Sequence, residues 1–106
     1  MTQAVARARQ PEALAPAQAE ALTALLRAIA HPLRLRILEQ LCRREHHVNQ
    51  LVALLDAKQS IVSQQLRILR MSHIVEVRRE SGFAVYRIAT PLLRNLFDCI
   101  RECPTR

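Results

Sequence analysis

The chain has 106 residues, half of them hydrophobic, so its length and composition fit one domain with a core of its own. Only 3% are aromatic, which leaves aliphatic side chains to fill that core. Lys and Arg number 16 against nine acidic residues, and the formal net charge of +7 favours a polyanionic partner such as nucleic acid. No apolar run is long enough to predict a membrane span, and residues 1–16 lack the apolar centre of a secretory signal. We therefore expect a cytoplasmic protein with no membrane partner, whose three cysteines form no fully paired disulfide framework.

Hydrophobic periodicity predicts five helices and one β-hairpin. Residues 1–16 contain two prolines and little periodicity, so we expect a flexible tail there and a folded domain at residues 17–106. Alternating apolar residues predict two strands, and Gly82, the only glycine in the chain, marks the turn between them. The predicted helices span residues 17–30, 32–44, 48–55, 59–71 and 91–103, a polar break covers 43–47, and the strands span 74–80 and 83–88. The predicted fold is therefore mostly α, in the order α-α-α-α-β-β-α.

The third and fourth predicted helices, with the short connection between them, have the pattern of a helix-turn-helix. The second helix of that motif fits the major groove of DNA. Val62, Leu66 and Leu69 would face the core, while the polar side chains around them can bind base edges or phosphates. The hairpin adds arginines that can follow the DNA backbone. The predicted DNA-contacting residues are Lys58, Gln59, Ser60, Ser63, Gln64, Gln65 and Arg67 on the helix and Arg78, Arg79 and Arg87 on the hairpin.

Three segments of the sequence resemble the ArsR/SmtB family of winged-helix transcriptional repressors. AIAHPLRLRIL occupies residues 28–38, KQSIVSQQLRILR occupies residues 58–70, and IVEVRRE with the later VYR occupies residues 74–80 and 85–87. The resemblance covers about residues 20–103. It implies a winged helix-turn-helix fold and a homodimer that represses transcription from a pseudo-palindromic operator in double-stranded DNA.

The resemblance also implies how two copies associate. In this family the first and last helices form the dimer interface, and the apolar stripes of both predicted helices are consistent with that role. The residues expected at the interface are Leu22, Leu25, Leu26, Ile29, Leu92, Leu93, Leu96, Phe97 and Ile100.

Members of this family release DNA when they bind a metal ion or when their thiols are modified. The thiolate pair that some members carry at the start of the third helix is replaced here by residues 47–49, HVN. The last helix offers Asp98 and Glu102 without a histidine. No cofactor is therefore assigned with certainty. The pair His46-His47 is either a solvated loop or part of a metal site with a partner elsewhere.

Three cysteines remain as candidates for a thiol sensor. Cys99 and Cys103 are four residues apart on the last predicted helix, so both thiols can share one face. If Cys42 approaches that face, three thiolates could bind a thiophilic metal or metalloid ion such as As(III), or two could form a reversible disulfide or polysulfide bridge. Alternatively, Cys42 is only a small buried apolar residue. Residues 62–66, VSQQL, resemble the persulfide- and redox-sensing branch of the family, which implies release by thiol chemistry.

Two functions stay open at this point. The first is a repressor that a thiol-directed signal releases from its operator. The second is a constitutive DNA-binding regulator of the same fold that has no inducer and is controlled by its abundance or by a protein partner. The sequence shows no glycine-rich phosphate loop, no paired catalytic carboxylates and no Ser-His-Asp arrangement, so we do not expect an enzyme.

Overall fold

Five helices and three short strands form in residues 12–102, the part of the chain that this computed structural model describes. The helices are α1 (Pro16–Ile29), α2 (Pro32–Arg43), α3 (Val48–Leu55), α4 (Gln59–Met71) and α5 (Leu92–Glu102), and the strands are β1 (His46–His47), β2 (Val75–Glu80) and β3 (Phe83–Ile88). None of these helices is long and apolar enough to cross a membrane. Cys103 and most of the predicted tail lie outside the described residues. The predicted order of helices and hairpin is confirmed.

Strand β1 lies where the sequence predicts a polar break. It pairs antiparallel with β3, with His46 opposite Tyr86 and His47 opposite Val85, so the sheet order is β1-β3-β2. Two residues are too few to show the alternation by which strands are recognised, and β1 forms because β3 supplies its pairing partners. The sheet therefore has three strands, one more than the predicted hairpin.

The turn between β2 and β3 consists of Ser81 and Gly82, which both have positive φ (52° and 85°). Glu80 and Phe83 pair with each other on either side of it. Two consecutive residues with positive φ form the type I′ turn, whose twist matches that of the two strands. Glycine adopts this conformation without strain, so Gly82 acts as the sequence predicts.

The core lies between α2, α3, α4, α5 and the sheet. Its buried hydrophobic residues within the described part of the chain are aliphatic except for Phe97, as the low aromatic content predicts. The fully buried members are Ile37, Leu38, Leu41, Leu51, Val62, Leu66, Leu69, Ile74 and Leu93. Because α4 contributes three of them, this helix is held firmly on one side.

Leu51 and Leu54 provide a matched test of the core, because both lie on α3 but only Leu51 is buried (0% exposed, against 51% for Leu54). We expect Leu51→Ala to lower the free energy of unfolding by about 2–5 kcal/mol, since it removes buried methyl groups and leaves a cavity. Leu54→Ala should change that free energy by less than about 0.5 kcal/mol. Denaturant unfolding followed by circular dichroism measures both. Equal losses in the two variants would contradict this position of the core.

Candidate nucleic-acid interface

Helices α3 and α4 are joined by residues 56–58 alone. Asp56 ends α3 in the left-handed conformation, with φ of 52°, and its backbone N–H donates to the carbonyl of Val52. This lets the chain reverse direction within a few residues, and α4 begins at Gln59. A short helix, a tight turn and a second helix form the helix-turn-helix of DNA-binding proteins.

Helix α4 buries one side and exposes the other. Val62, Leu66 and Leu69 are fully buried. The exposed residues at the start of the helix and along its outer side are Lys58, Gln59, Ser60, Ser63, Gln64 and Arg67, six of the seven predicted here. Lys58, Gln59 and Ser60 lie at the N-terminus of α4, whose first backbone N–H groups have no partner within the helix and suit a phosphate.

Gln65, the seventh predicted contact on α4, faces the interior instead. It is 8% exposed, and its Oε1 accepts a hydrogen bond of 2.7 Å from Nε of Arg34. Gln65 follows Val62 by three residues and precedes Leu69 by four, so it belongs to the buried stripe of the helix. The prediction that Gln65 contacts DNA is therefore corrected to a role in positioning α4.

Arg34 connects three helices and was not singled out by the sequence reasoning. From the first turn of α2 it donates to Gln65 on α4, and its Nη1 donates to the carbonyl of Ala28 near the end of α1 at 2.9 Å. That carbonyl is among the last in α1, which have no partner within the helix. The signal that could have found this contact is the spacing of Gln65 from Val62, which places a polar side chain on the buried stripe.

Two of the three predicted hairpin arginines are paired with carboxylates. Nη2 of Arg78 lies 2.6 Å from Glu45 and 3.4 Å from Glu80, and Nη2 of Arg87 lies 2.7 Å from Glu76. The hydrogen bond from Arg78 lowers the pKa of Glu45, which keeps this carboxyl ionised. Because these pairs are exposed to solvent, each contributes little to stability, and a phosphate can compete for the arginine.

Arg79 lies on the opposite face of β2 from Arg78, because side chains alternate along a strand. Its Nη1 donates to the carbonyl of Gly82 at 3.5 Å, and it has no carboxylate partner among residues 12–102. Of the three predicted hairpin arginines, Arg79 is thus the one that the described chain neutralises least.

The nine residues predicted at a dimer interface fall into two groups. Ile29, Leu93 and Phe97 are largely buried in the core of the chain itself, and that they contact a partner stays a prediction. The other six keep exposed or half-buried surface: Leu22, Leu25, Leu26, Leu92, Leu96 and Ile100.

Helices α1 and α5 enclose an apolar groove of about 320 Å³. Its lining includes seven of the nine residues predicted at the interface, together with Asn95 and Cys99; the seven are Leu22, Leu25, Leu26, Ile29, Leu92, Leu93 and Leu96. Ile100 lies elsewhere on α5, in a cavity that it shares with Leu35 and Leu54. Five of the six accessible residues predicted at the interface therefore line one groove.

Cys42 and Cys99 open onto different cavities of one chain. Cys99 is exposed in the groove between α1 and α5, whereas Cys42 is half-buried and lines a separate cavity of about 440 Å³ between α2 and α5. Burial raises the pKa of the Cys42 thiol, and the charges of Arg94 and Arg101 offset this only in part. The structure does not bring these two predicted sensor residues to one site.

Two arginines of α5 fasten this helix to α2 beside Cys42. Nη1 of Arg94 donates to the backbone carbonyl of Cys42 at 2.6 Å, and Nη2 of Arg101 lies 2.7 Å from Glu39. Burial alone would raise the pKa of Glu39, but hydrogen bonds from Arg101 and Arg43 lower it overall, so the carboxyl stays ionised. The Cys42 thiol is therefore next to the contact between α2 and α5.

The residues that family members use for a metal do not form such a site within residues 12–102, where no three His, Cys, Asp or Glu side chains gather. Asp98 pairs with Arg101 at 3.1 Å. His46 is buried, whereas His47 projects to the other face of β1 and stacks on Phe83 with ring centroids 5.1 Å apart. The interpretation of this pair as a solvated loop is wrong, because both residues form strand β1 and His46 is buried, whereas a metal site with a partner elsewhere stays a prediction.

Comparison with known proteins agrees with this geometry. Residues 31–77 match the model of a bacterial regulatory protein family, the arsR family. The chain is 38% identical over 88 residues to the transcriptional repressor SmtB homolog of Synechocystis sp., covering 83% of this chain and 67% of that protein.

The fold of the chain is similar to that of HlyU from Vibrio cholerae, with a TM-score of 0.76 and 28% identity over 82% of this chain and 95% of the other. It is also similar to the homodimeric winged helix-turn-helix DNA-binding domain of Mb0332 from Mycobacterium bovis, with a TM-score of 0.71 and 28% identity over 80% of this chain and 79% of the other.

Gln64 and Gln65 are neighbours on α4 with opposite expected roles. Gln65→Ala should lower the free energy of unfolding by about 1–3 kcal/mol, because it leaves Arg34 without an acceptor. Gln64→Ala should leave stability unchanged and weaken binding to a specific duplex by about 1–3 kcal/mol. Chemical unfolding and fluorescence anisotropy, with a duplex selected from a random-sequence pool, measure the two effects. A loss of stability in Gln64→Ala but not in Gln65→Ala would reverse the assignment.

Proposed function

Because the chain belongs to the ArsR family of bacterial regulatory proteins, we propose that it represses transcription as a homodimer bound to a pseudo-palindromic site in double-stranded DNA. The observation that carries this proposal is the polar outer side of α4, opposite three fully buried residues of the same helix. The protein acts by binding rather than by catalysis, and it works in the cytoplasm.

In this proposal α4 lies in the major groove. The Gln64 amide pairs with an adenine edge, and the Arg67 guanidinium binds guanine or a phosphate. Ser60 and Ser63 bind bases or phosphates, and Lys58 binds a phosphate together with the backbone N–H groups at the start of α4. Selection from a random-sequence pool, followed by anisotropy at several salt concentrations, tests the proposal. Failure to form any complex at low salt would rule it out.

The effect of an ion pair on DNA binding can be tested by comparing Arg79, which has no carboxylate partner among residues 12–102, with Arg87, which is paired with Glu76. Arg79→Gln should weaken binding to all DNA sequences alike and reduce the slope of log K against log salt by about one, because one phosphate contact is lost. Arg87→Gln removes the same charge, but Arg87 is already paired with Glu76 at 2.7 Å, so the slope should change less. Anisotropy with specific and random duplexes measures both. Equal slopes in the two variants would show that the ion pair does not withhold Arg87 from DNA.

The proposed dimer interface is the apolar groove between α1 and α5. Leu22, Leu26 and Leu92 are exposed there and leave apolar surface in water, which a second copy of the groove would cover. The homodimeric state of the similar Mb0332 domain supports this arrangement. A two-fold dimer of this kind presents two α4 helices to two half-sites of DNA.

Leu26 and Leu54 test the interface, because they are similarly exposed (47% and 51%) but only Leu26 lines the groove. Leu26→Glu should raise the dimer dissociation constant by at least about 30-fold, since it would bury an unpaired carboxylate in an apolar contact. Leu54→Glu should leave the dimer intact. Sedimentation velocity over a range of concentrations measures both. A Leu26→Glu protein that stays dimeric would move the interface elsewhere.

We further propose that modification of Cys42 releases the DNA. Helix α2 carries Cys42 at one end and Arg34 at the other, and Arg34 holds Gln65 on α4. The Cys42 thiol lines the cavity between α2 and α5 together with Arg94 and Arg101, and a persulfide on it is an additional anion that can compete with Glu39 for Arg101. In this proposal the contacts that fasten α5 to α2 change, and the change reaches α4 through α2.

We propose a polysulfide as the reagent, as the resemblance of residues 62–66 to the persulfide- and redox-sensing branch of the family implies. The Cys42 thiolate attacks a sulfur of the S–S chain, a persulfide forms on Cys42, and a shorter sulfide anion leaves. Because burial raises the pKa of this thiol, its thiolate fraction at neutral pH is smaller than that of a free cysteine. The rate of modification should therefore rise as the pH increases towards that pKa.

Cys42→Ser should still bind DNA but should no longer be released by sodium tetrasulfide, because the attacking thiolate is missing. Cys99→Ser is the matched control and should be released like the unmodified sequence. Anisotropy follows release, and mass spectrometry locates the added sulfur. If Cys42→Ser is still released, Cys42 is not the sensor. If tetrasulfide releases neither the unsubstituted protein nor either variant from DNA, the alternative function is favoured, which is a constitutive regulator without an inducer.

A further inference from the structure

One aromatic contact joins strand β1 to the hairpin of β2 and β3, on the face of the sheet opposite buried His46. The rings of His47 and Phe83 stack with their centroids 5.1 Å apart and an angle of 21° between their planes. His47 lies opposite Val85, and Phe83 is two residues closer to the turn on the same face of β3. The centroid distance is within the range of attractive aromatic pairs.

This stack reaches closer to the hairpin turn than the backbone pairing does. Strand β1 pairs with Val85 and Tyr86 of β3, and the chain then leaves the sheet to begin α3 at Val48. Phe83 and the turn that precedes it extend beyond this pairing. The ring of His47 therefore extends the contact between β1 and the hairpin towards the turn.

His47 also belongs to the start of the helix-turn-helix. It directly precedes α3, and its backbone N–H donates to Oε1 of Gln50 in the first turn of that helix at 3.0 Å. This hydrogen bond does not involve the imidazole ring. Helix α3 is in turn joined to α4 by three residues. A residue whose backbone is bound to α3 and whose ring is stacked on the hairpin holds these two parts of the molecule in one relative position.

Glu45 provides a second side-chain contact between this segment and the hairpin. Its carboxylate lies 2.6 Å from Nη2 of Arg78, which is opposite Val85 in the sheet. Both groups are exposed, so this ion pair contributes little and is screened by salt. The stack of His47 on Phe83 has no net charge to screen, so it persists at the salt concentrations used to measure DNA binding.

We propose that His47 is a positioning residue for DNA binding, whose stack on Phe83 holds the hairpin turn and Arg79 against the duplex that α4 contacts. Arg79 follows the turn because its Nη1 donates to the carbonyl of Gly82. His47 acts through Phe83 and does not itself touch DNA. This inference rests on the proposed binding of DNA by α4 and the hairpin.

The first test compares His47→Ala, which removes the ring, with His47→Tyr, which keeps a flat ring for Phe83. We expect His47→Ala to raise the dissociation constant of the selected duplex by about 2- to 12-fold, the range that one aromatic pair contributes. His47→Tyr should bind like the unsubstituted chain. Fluorescence anisotropy measures binding, circular dichroism checks folding, and His47→Gln is a second ring-free variant in case His47→Ala does not fold. Unchanged binding in the ring-free variant, or an equal loss in His47→Tyr, would overturn the proposal.

A double substitution separates positioning from a general effect on the fold. Arg79→Gln should weaken DNA binding of the unsubstituted chain, but it should add less in the His47→Ala background, because the hairpin there no longer holds Arg79 against the duplex. If His47 only stabilised the fold, Arg79→Gln would have the same effect in both backgrounds. That result would overturn the proposal.

A measurement without DNA distinguishes failure of this inference from failure of the proposed function. In the free chain, we expect the heteronuclear NOE of the Ser81 and Gly82 amides to fall in His47→Ala but not in His47→Tyr, because the turn loses its nearest contact with β1. Unchanged values in His47→Ala would overturn the proposal even if the chain binds DNA. If the unsubstituted chain binds no duplex, the proposed function fails and the role in DNA binding fails with it, whereas a lower NOE would still show that the stack holds the hairpin.

Discussion

The orientation of α4 depends on one guanidinium group. Arg34 reaches from the start of α2 to Gln65 on α4 and to the carbonyl of Ala28 on α1. A guanidinium is planar and directs its N–H groups along fixed lines, so two acceptors bound to it hold their helices in one relative position. The buried stripe of α4 supplies most of the packing, but Arg34 connects that packing to both neighbouring helices. The polar side that we propose to face DNA is thus oriented by a contact on the opposite, buried side.

Helix α2 connects helix α4, which it contacts near its start, with helix α5, which it contacts near its end. Arg34 lies at its start, while Glu39 and the carbonyl of Cys42 hold Arg101 and Arg94 of α5 near its end. Because the core between these helices is filled with fully buried aliphatic side chains, α2 cannot shift at one end without straining contacts at the other. This is why a half-buried thiol on α2 is better placed to affect α4 than the exposed thiol of Cys99.

The number of basic residues in the chain, 16, overstates how many of them are free to meet DNA. Arg78 and Arg87 are paired with carboxylates, and Arg36 and Arg94 donate to backbone carbonyls of other helices. The exposed ion pairs are weak enough for phosphates to replace the carboxylates. These pairs would therefore lower the affinity for DNA without preventing binding. The arginines that bind backbone carbonyls act within the fold itself.

The sequence by itself determined the helices, the helix-turn-helix and the hairpin. These features depend on local rules, such as the spacing of Val62, Leu66 and Leu69 or the positive φ that Gly82 adopts in the turn. For the same reason, six of the seven polar residues predicted on α4 are exposed.

Only the tertiary structure decided which residues have other partners. Gln65 is joined to Arg34, 31 residues away, and Arg94 to Cys42, 52 residues away, and no local pattern records contacts at such separations. Strand β1 exists because β3 pairs with it, and Ile29, Leu93 and Phe97 are buried because other helices cover them. The separation of Cys42 from Cys99 is likewise a property of their surroundings. Local spacing thus determined the elements and the outward side of α4, whereas packing between distant segments decided which of the predicted residues are free to bind.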